Sequence, residues 1–202
     1  MPGRSKYQSF RALEKNEKKG VDYRIRWREG TSGIAIMAIH GGGIEPGTTE
    51  IAEAIAGSRH SFYTFSGLKK TENAVLHITS RRFDETIGRS IAKKAATIIT
   101  IHGCRENGSM VYIGGRNSEL KENMVSSLHK AGFQIAQSSQ FPGLSSMNIC
   151  NRCRLKAGVQ LELCHGLRAR MFEGLKRNQR DKTTAIFWQF VNSLKQAIVD
   201  YK

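Results

Sequence analysis

Ile34-Ala35-Ile36-Met37-Ala38-Ile39 is aliphatic at every position and runs directly into His40-Gly41-Gly42-Gly43. A half-exposed strand alternates apolar and polar residues, so six apolar residues in a row specify a strand covered on both faces, as in a largely parallel sheet. Residues 96–101 (ATIITI) repeat the arrangement and also end in histidine and glycine, His102-Gly103. Two such strands predict an α/β core whose strand ends carry imidazoles.

Working outward, residues 21–29 (VDYRIRWRE) alternate with the period of a half-buried strand. Short strands are predicted at 61–65, 75–79 (VLHIT), 110–113, 133–136 and 158–164 (GVQLELC). Between them lie helical patterns. One runs over 48–56, capped by Thr48 or Thr49, with Glu50 and Glu53 favoured by the macrodipole and Gly57 as its stop. Another is capped by Asp84 and presents Ile87, Ile91 and Ala95 on one face. Amphipathic helices follow at 118–130 and about 181–199, and residues 138–154 read as a long irregular stretch. Strands alternating with helices predict a single-domain three-layer α/β sandwich over 1–202, with a mixed, mostly parallel sheet and helices on both faces. Residues 1–20, polar and ending in KNEKKG, read as a loosely held helix or arm.

The chain has 202 residues, 39% of them hydrophobic, enough to bury a core without covalent staples. Its longest aliphatic run is far short of the roughly 20 residues a membrane helix needs. No apolar segment follows MPGRSKYQSF, so synthesis in the cytoplasm, with release by lysis, is the expectation. The net charge of +15 points to a polyanionic partner. Nucleic acid, acidic polypeptide and anionic lipid qualify in that order, against the plainer reading that the surplus only aids solubility. Cys104, Cys150, Cys153 and Cys164 do not suggest a disulfide framework, and the lone Cys150/Cys153 pair lacks the second pair a structural zinc site needs. Packing is the expected role of that pair.

The carboxyl ends of strands in an open α/β sheet are where ligands bind. His40 and His102 therefore meet over one crevice, and the glycine-rich loop after His40 brings Glu45 within reach of both. Two imidazoles and a carboxylate match the three-ligand set of a hydrolytic zinc, which leaves one position open. The competing readings are hydrogen-bonded core histidines and a phosphate-cradling loop, although GGGIEPGTTE lacks the lysine of a P-loop. Glu162, on one face of the 158–164 strand with Gln160 and Cys164, is either a general base or the partner of Arg168 or Arg170 in an ion pair. No GxSxG elbow is present.

Together, IHGGGIEPGTTEIAEAIAG, LHITSRRFDE, IHGCREN, VYIGGRN, NICNRC and GVQLELCHGLR resemble the poly-γ-glutamate hydrolase family of bacilli and their phages over nearly the whole chain. The resemblance implies a zinc amidohydrolase with a metallocarboxypeptidase-like fold that cuts the γ-amide bonds of poly-γ-glutamate. It matches His40, Glu45 and His102 to one Zn2+ and Glu162 to the general base, while Cys164 stands where serine is common. That polymer carries a free carboxylate on every residue, in agreement with the charge. Arg105, Arg116 and Arg168, each just beyond a predicted strand, become candidates for substrate carboxylates, with structural ion pairs as the alternative. His77 and Arg82 become candidates for the scissile carbonyl or its oxyanion. The expected enzyme is a monomer that needs no membrane. The rival functions are a nucleic-acid-binding protein, supported by charge alone, and a metallohydrolase of short γ-glutamyl or peptidoglycan peptides.

Overall fold

The computed structural model describes residues 6–201. Seven strands form one sheet: β1 Tyr23–Arg28, β2 Ile34–Gly42, β3 Ser61–Gly67, β4 Thr97–Gly103, β5 Met110–Gly115, β6 Gln134–Ala136 and β7 Val159–Leu163. Their spatial order is β1-β3-β2-β4-β7-β5-β6. β3, β2, β4 and β7 are mutually parallel, β1 is antiparallel to β3, and β5 is antiparallel to β7 while pairing in parallel with β6. The mixed, mostly parallel sheet is the expected one.

β2 shows why the aliphatic run decides the fold. Ile34, Ile36 and Ala38 enter one hydrophobic core, and Ala35, Met37 and Ile39 enter the other. Each fully buried isoleucine contributes about 2 kcal/mol of transfer free energy, so neither face can be left open to water. The first core is closed by α2 (Thr48–Ala56), α4 (Ser118–Lys130) and α6 (Ala185–Val199). The second is closed by α1 (Phe10–Glu14), α3 (Thr86–Lys94) and two short 3-10 turns, Asn73–Leu76 and Ile149–Asn151. A further short helix, α5 (His165–Arg170), follows β7.

Three local expectations are corrected. The 75–79 segment is no strand: Leu76 and Ile78 are buried in alternation, but the backbone joins no ladder and instead forms a 3-10 turn and an extended crossing. Glu85, not Asp84, caps α3, its carboxylate accepting from the Ile87 and Gly88 amides, while Asp84 accepts from the Phe10 amide. Tyr7, Phe10 and Leu13 are buried in the second core, so the described part of the arm, from residue 6 on, is packed rather than loose. All four cysteines are free and buried, and Cys150 and Cys153 pack in the second core as expected.

Candidate metal centre

β2 and β4 lie side by side, yet the chain leaves β2 through α2 toward β3 and leaves β4 in the opposite direction toward β5. The crevice between their carboxyl ends is thus a switch point of the sheet. His102, on β4, shares the second-core side of the sheet with Ile98 and is 1% exposed. His40 reaches the same side through a bulge. From Ala38 to Gly41, β2 spends three steps while β3 spends two, from Thr64 to Ser66, which breaks the alternation at the histidine. Gly41 is necessary there, since a Cβ would collide with the Thr49 and Thr64 hydroxyls, and Gly42 sits at φ +64. The turn then brings Glu45 back, its amide donating to the His40 carbonyl at 2.8 Å.

Three side chains converge. His40 Nδ1 lies 3.1 Å from His102 Nδ1 and 2.9 Å from Glu45 Oε1, and His102 Nδ1 lies 3.5 Å from Glu45 Oε2. His40 Nε2 donates to the Ile78 carbonyl at 2.7 Å, which fixes that nitrogen as an N–H and makes Nδ1 the atom whose lone pair a cation would take. His102 Nε2 lies 3.4 Å from Ser80 Oγ. A lone pair aimed at another imidazole nitrogen at 3.1 Å is repulsive unless a proton or cation lies between them. Zn–N bonds of 2.0–2.1 Å in a tetrahedron set neighbouring nitrogens about 3.3 Å apart, close to the separation found. The donors therefore fit a zinc ion. His77 also comes close: its ligating atom and those of His40 and Glu45 lie within 4.8 Å of one another, and its ring stacks on His40 with centroids 4.0 Å apart. Its Nε2 is 3.9 Å from Glu45 Oε1, however, farther than either His40 or His102 comes to that carboxylate.

Register places the fourth group. Glu162 of β7 pairs with His102 of β4, and the Leu161 and Leu163 side chains enter the first core, so Glu162 shares the face of His102. Its Oε1 accepts from Gln160 Nε2 at 3.1 Å, and Gln160 Oε1 accepts from Asn148 Nδ2 at 2.8 Å. Burial pushes the Glu162 carboxyl up to about 7, with the Glu45 charge adding to the rise and His102 and Arg168 opposing it. Burial also penalises charge on Glu45, but His40 and His102 outweigh it and hold that carboxyl well below its usual range. His102 is raised, burial being overcome by Glu162 and Glu45. His77 is driven down to about 3, first by the charge of His40 and then by burial, with Arg105 contributing.

The arginines divide. Arg105 is exposed on the rim, near enough to His77 for its charge to be felt there. Arg168 is buried at 3% exposure, and its guanidinium is occupied: Nε donates to Leu163 O at 3.2 Å, Nη1 to Pro46 O at 2.6 Å and Nη2 to Cys104 O at 2.7 Å. Those carbonyls lie one or two residues beyond Glu162, Glu45 and His102, so one side chain ties together the three segments that carry the site. Arg116 is not brought to the crevice. β5 runs antiparallel to β7, which sets Gly115 against Val159, at the far end of β7 from Glu162. Arg82 is exposed and turns into a groove shared with Arg116. The sequence reading had no expectation for Ser80, the Ile78 carbonyl or the Asn148–Gln160 pair, whose contacts join segments distant in the chain.

A family model described as poly-gamma-glutamate hydrolase matches residues 7–193. The protein YndL of Bacillus subtilis (strain 168) is 35% identical over 169 residues, covering 82% of this chain and 66% of YndL, just under two thirds of that relative's length. Among solved structures, a bacteriophage poly-gamma-glutamate hydrolase superposes with a TM-score of 0.96 at 30% identity, covering 98% of both chains. A zinc-free form of YndL superposes with a TM-score of 0.93 at 31% identity, again covering 98% of both chains.

Proposed function

The chain belongs to the poly-gamma-glutamate hydrolase family, and from that premise we propose that it hydrolyses the γ-amide bonds of poly-γ-glutamate in a zinc-dependent reaction. The observation that carries the reading is the triangle of His40 Nδ1, His102 Nδ1 and Glu45 carboxylate, with separations of 2.9 to 3.5 Å. These three side chains would hold the ion. When bound, zinc supplies a Lewis acid and lowers the pKa of water at its open position.

The remaining chemistry belongs to the chain. Glu162, with Oε1 engaged by Gln160, has Oε2 left to take a proton from the attacking water and return it to the departing amine. The same carboxylate serves both transfers in turn, first as base and then as acid. His77 is held neutral, so an imidazole N–H at the mouth of the site can donate to the scissile carbonyl without adding charge beside Glu45. Arg105, on the rim, faces a substrate that carries one carboxylate per residue. Arg168 acts through the backbone, positioning Glu45, His102 and Glu162.

The test is the chain length of poly-γ-glutamate before and after incubation with the purified protein. Depolymerisation is expected, abolished by a chelator and reduced at least about 1,000-fold in His40→Ala, His102→Ala and Glu162→Gln, with circular dichroism unchanged. Normal turnover by Glu162→Gln would remove the base assignment, and normal turnover after chelation would remove the metal.

A further inference from the structure

On the α3 side of the sheet lies a groove of about 780 Å³. Ser80, whose hydroxyl lies 3.4 Å from His102 Nε2, is followed at once by Arg81 and Arg82, and these open the groove. Arg89 and Lys93 of α3 line it further along. Arg116, Arg152 and Lys156 complete the lining. Between the Glu162–Tyr112 and Val159–Gly115 register positions the strands advance three residues, about 10 Å. The groove therefore extends from Arg81, the residue after Ser80, to Arg116, which lies about that distance along β7 from Glu162.

Its charge is compensated only in part, seven cations facing one acid. Asp84, the acid in the lining, accepts from the Phe10 backbone amide. Arg152 spends its donors on the Phe83 and Arg81 carbonyls and Arg116 on the Leu144 carbonyl, so these guanidiniums are fixed but not neutralised. Among the described residues no cation of the groove stands in an ion pair. Burial, and after it the like charge of nearby Arg89, depress the Arg152 pKa, with Asp84 opposing them. Holding cations together costs free energy that an anion would recover. The lining contains no aromatic side chain on which a nucleic-acid base could stack, which favours a carboxylate polymer over a single-stranded nucleic acid.

We propose that this groove is a second binding site for polycarboxylate, holding a stretch of the poly-γ-glutamate chain whose neighbouring bond lies at the metal centre. The proposal rests on the functional reading above. Tethering a long substrate at two places raises its effective concentration at the first, so groove contacts act on the KM of long chains and leave short ones untouched.

The test compares Arg89→Gln/Lys93→Gln/Lys156→Gln with a control of equal charge loss on the other face, Lys121→Gln/Lys130→Gln/Lys195→Gln, in the zinc-loaded enzyme. With long polymer the groove variant is expected to raise KM about ten-fold at unchanged kcat, while kcat/KM for γ-glutamyl dimers and trimers and all values for the control stay at wild-type level. Equal KM in groove variant and control would overturn the groove while leaving the hydrolase reading intact, because the wild type still cleaves. A parallel loss on dimers would overturn it too. If the wild type cleaves no polymer, the functional reading fails instead, and fluorescence anisotropy of labelled poly-γ-glutamate with metal-free protein decides the groove. Binding lost in the groove variant alone sustains it. No binding, or displacement of the polymer by much lower concentrations of duplex DNA, overturns it.

Discussion

Glu162 is a carboxylate placed where burial and function oppose each other. In the metal-free protein its folded pKa of about 7 stands above the ordinary 4.5. The folded state thus binds this proton more tightly than the unfolded state, and its stabilising contribution is complete below pH 4.5 and lost as pH rises through 7. The loss amounts to roughly 3 kcal/mol. Glu162→Gln removes the charge without removing the side chain, so the metal-free variant should melt roughly 5–10 °C above wild type at pH 8.5 and level with it at pH 4.5. Melting curves at the two pH values check this, and a gap independent of pH would contradict it. His40, Glu45, His102 and Glu162 were legible in the sequence because each sits at or beside the end of an apolar strand, where a polar group is costly without a purpose. Arg168 stood out as well, but its backbone acceptors belong to segments brought together only by the fold.

The strand ends that carry the site are separate elements, and Arg168 is what spans them. Replacing it with Met leaves the Leu163, Pro46 and Cys104 carbonyls without this donor in a buried setting, at a cost of about 1–3 kcal/mol for each one left unsatisfied. Arg168→Met is therefore expected to lower the melting temperature and to weaken zinc binding 10–100-fold, as loss of supporting contacts does at metal sites. Thermal unfolding and competition with a chromophoric chelator measure both, and unchanged zinc affinity would show that the segments hold their places without it. The same scale explains what the sequence concealed. Hydrophobic periodicity located β2, β4 and β7, yet it says nothing of direction, so Arg116, just beyond a predicted strand, reads as a candidate for the substrate until β5 is seen to run the other way. Leu76 and Ile78 alternate like a strand because burial alone imposes the pattern, whether or not a ladder forms.

Over the whole molecule, the surplus of fifteen positive charges makes a field that gathers polyanions. kcat/KM on long poly-γ-glutamate should fall at least about ten-fold between 20 mM and 500 mM salt, as the Debye length shrinks from roughly 20 Å to about 4 Å, while kcat at saturating substrate changes little. Initial rates across a salt series test this, and a salt-independent kcat/KM would mean that the charge serves another end. The central claim remains that His40, Glu45 and His102 grip a single ion. Elemental analysis of wild type, His102→Ala and His77→Ala, each purified with zinc and desalted, tests it most directly. About one zinc per chain is expected in wild type and His77→Ala and next to none in His102→Ala; full zinc in His102→Ala, or none in the wild type, would contradict it.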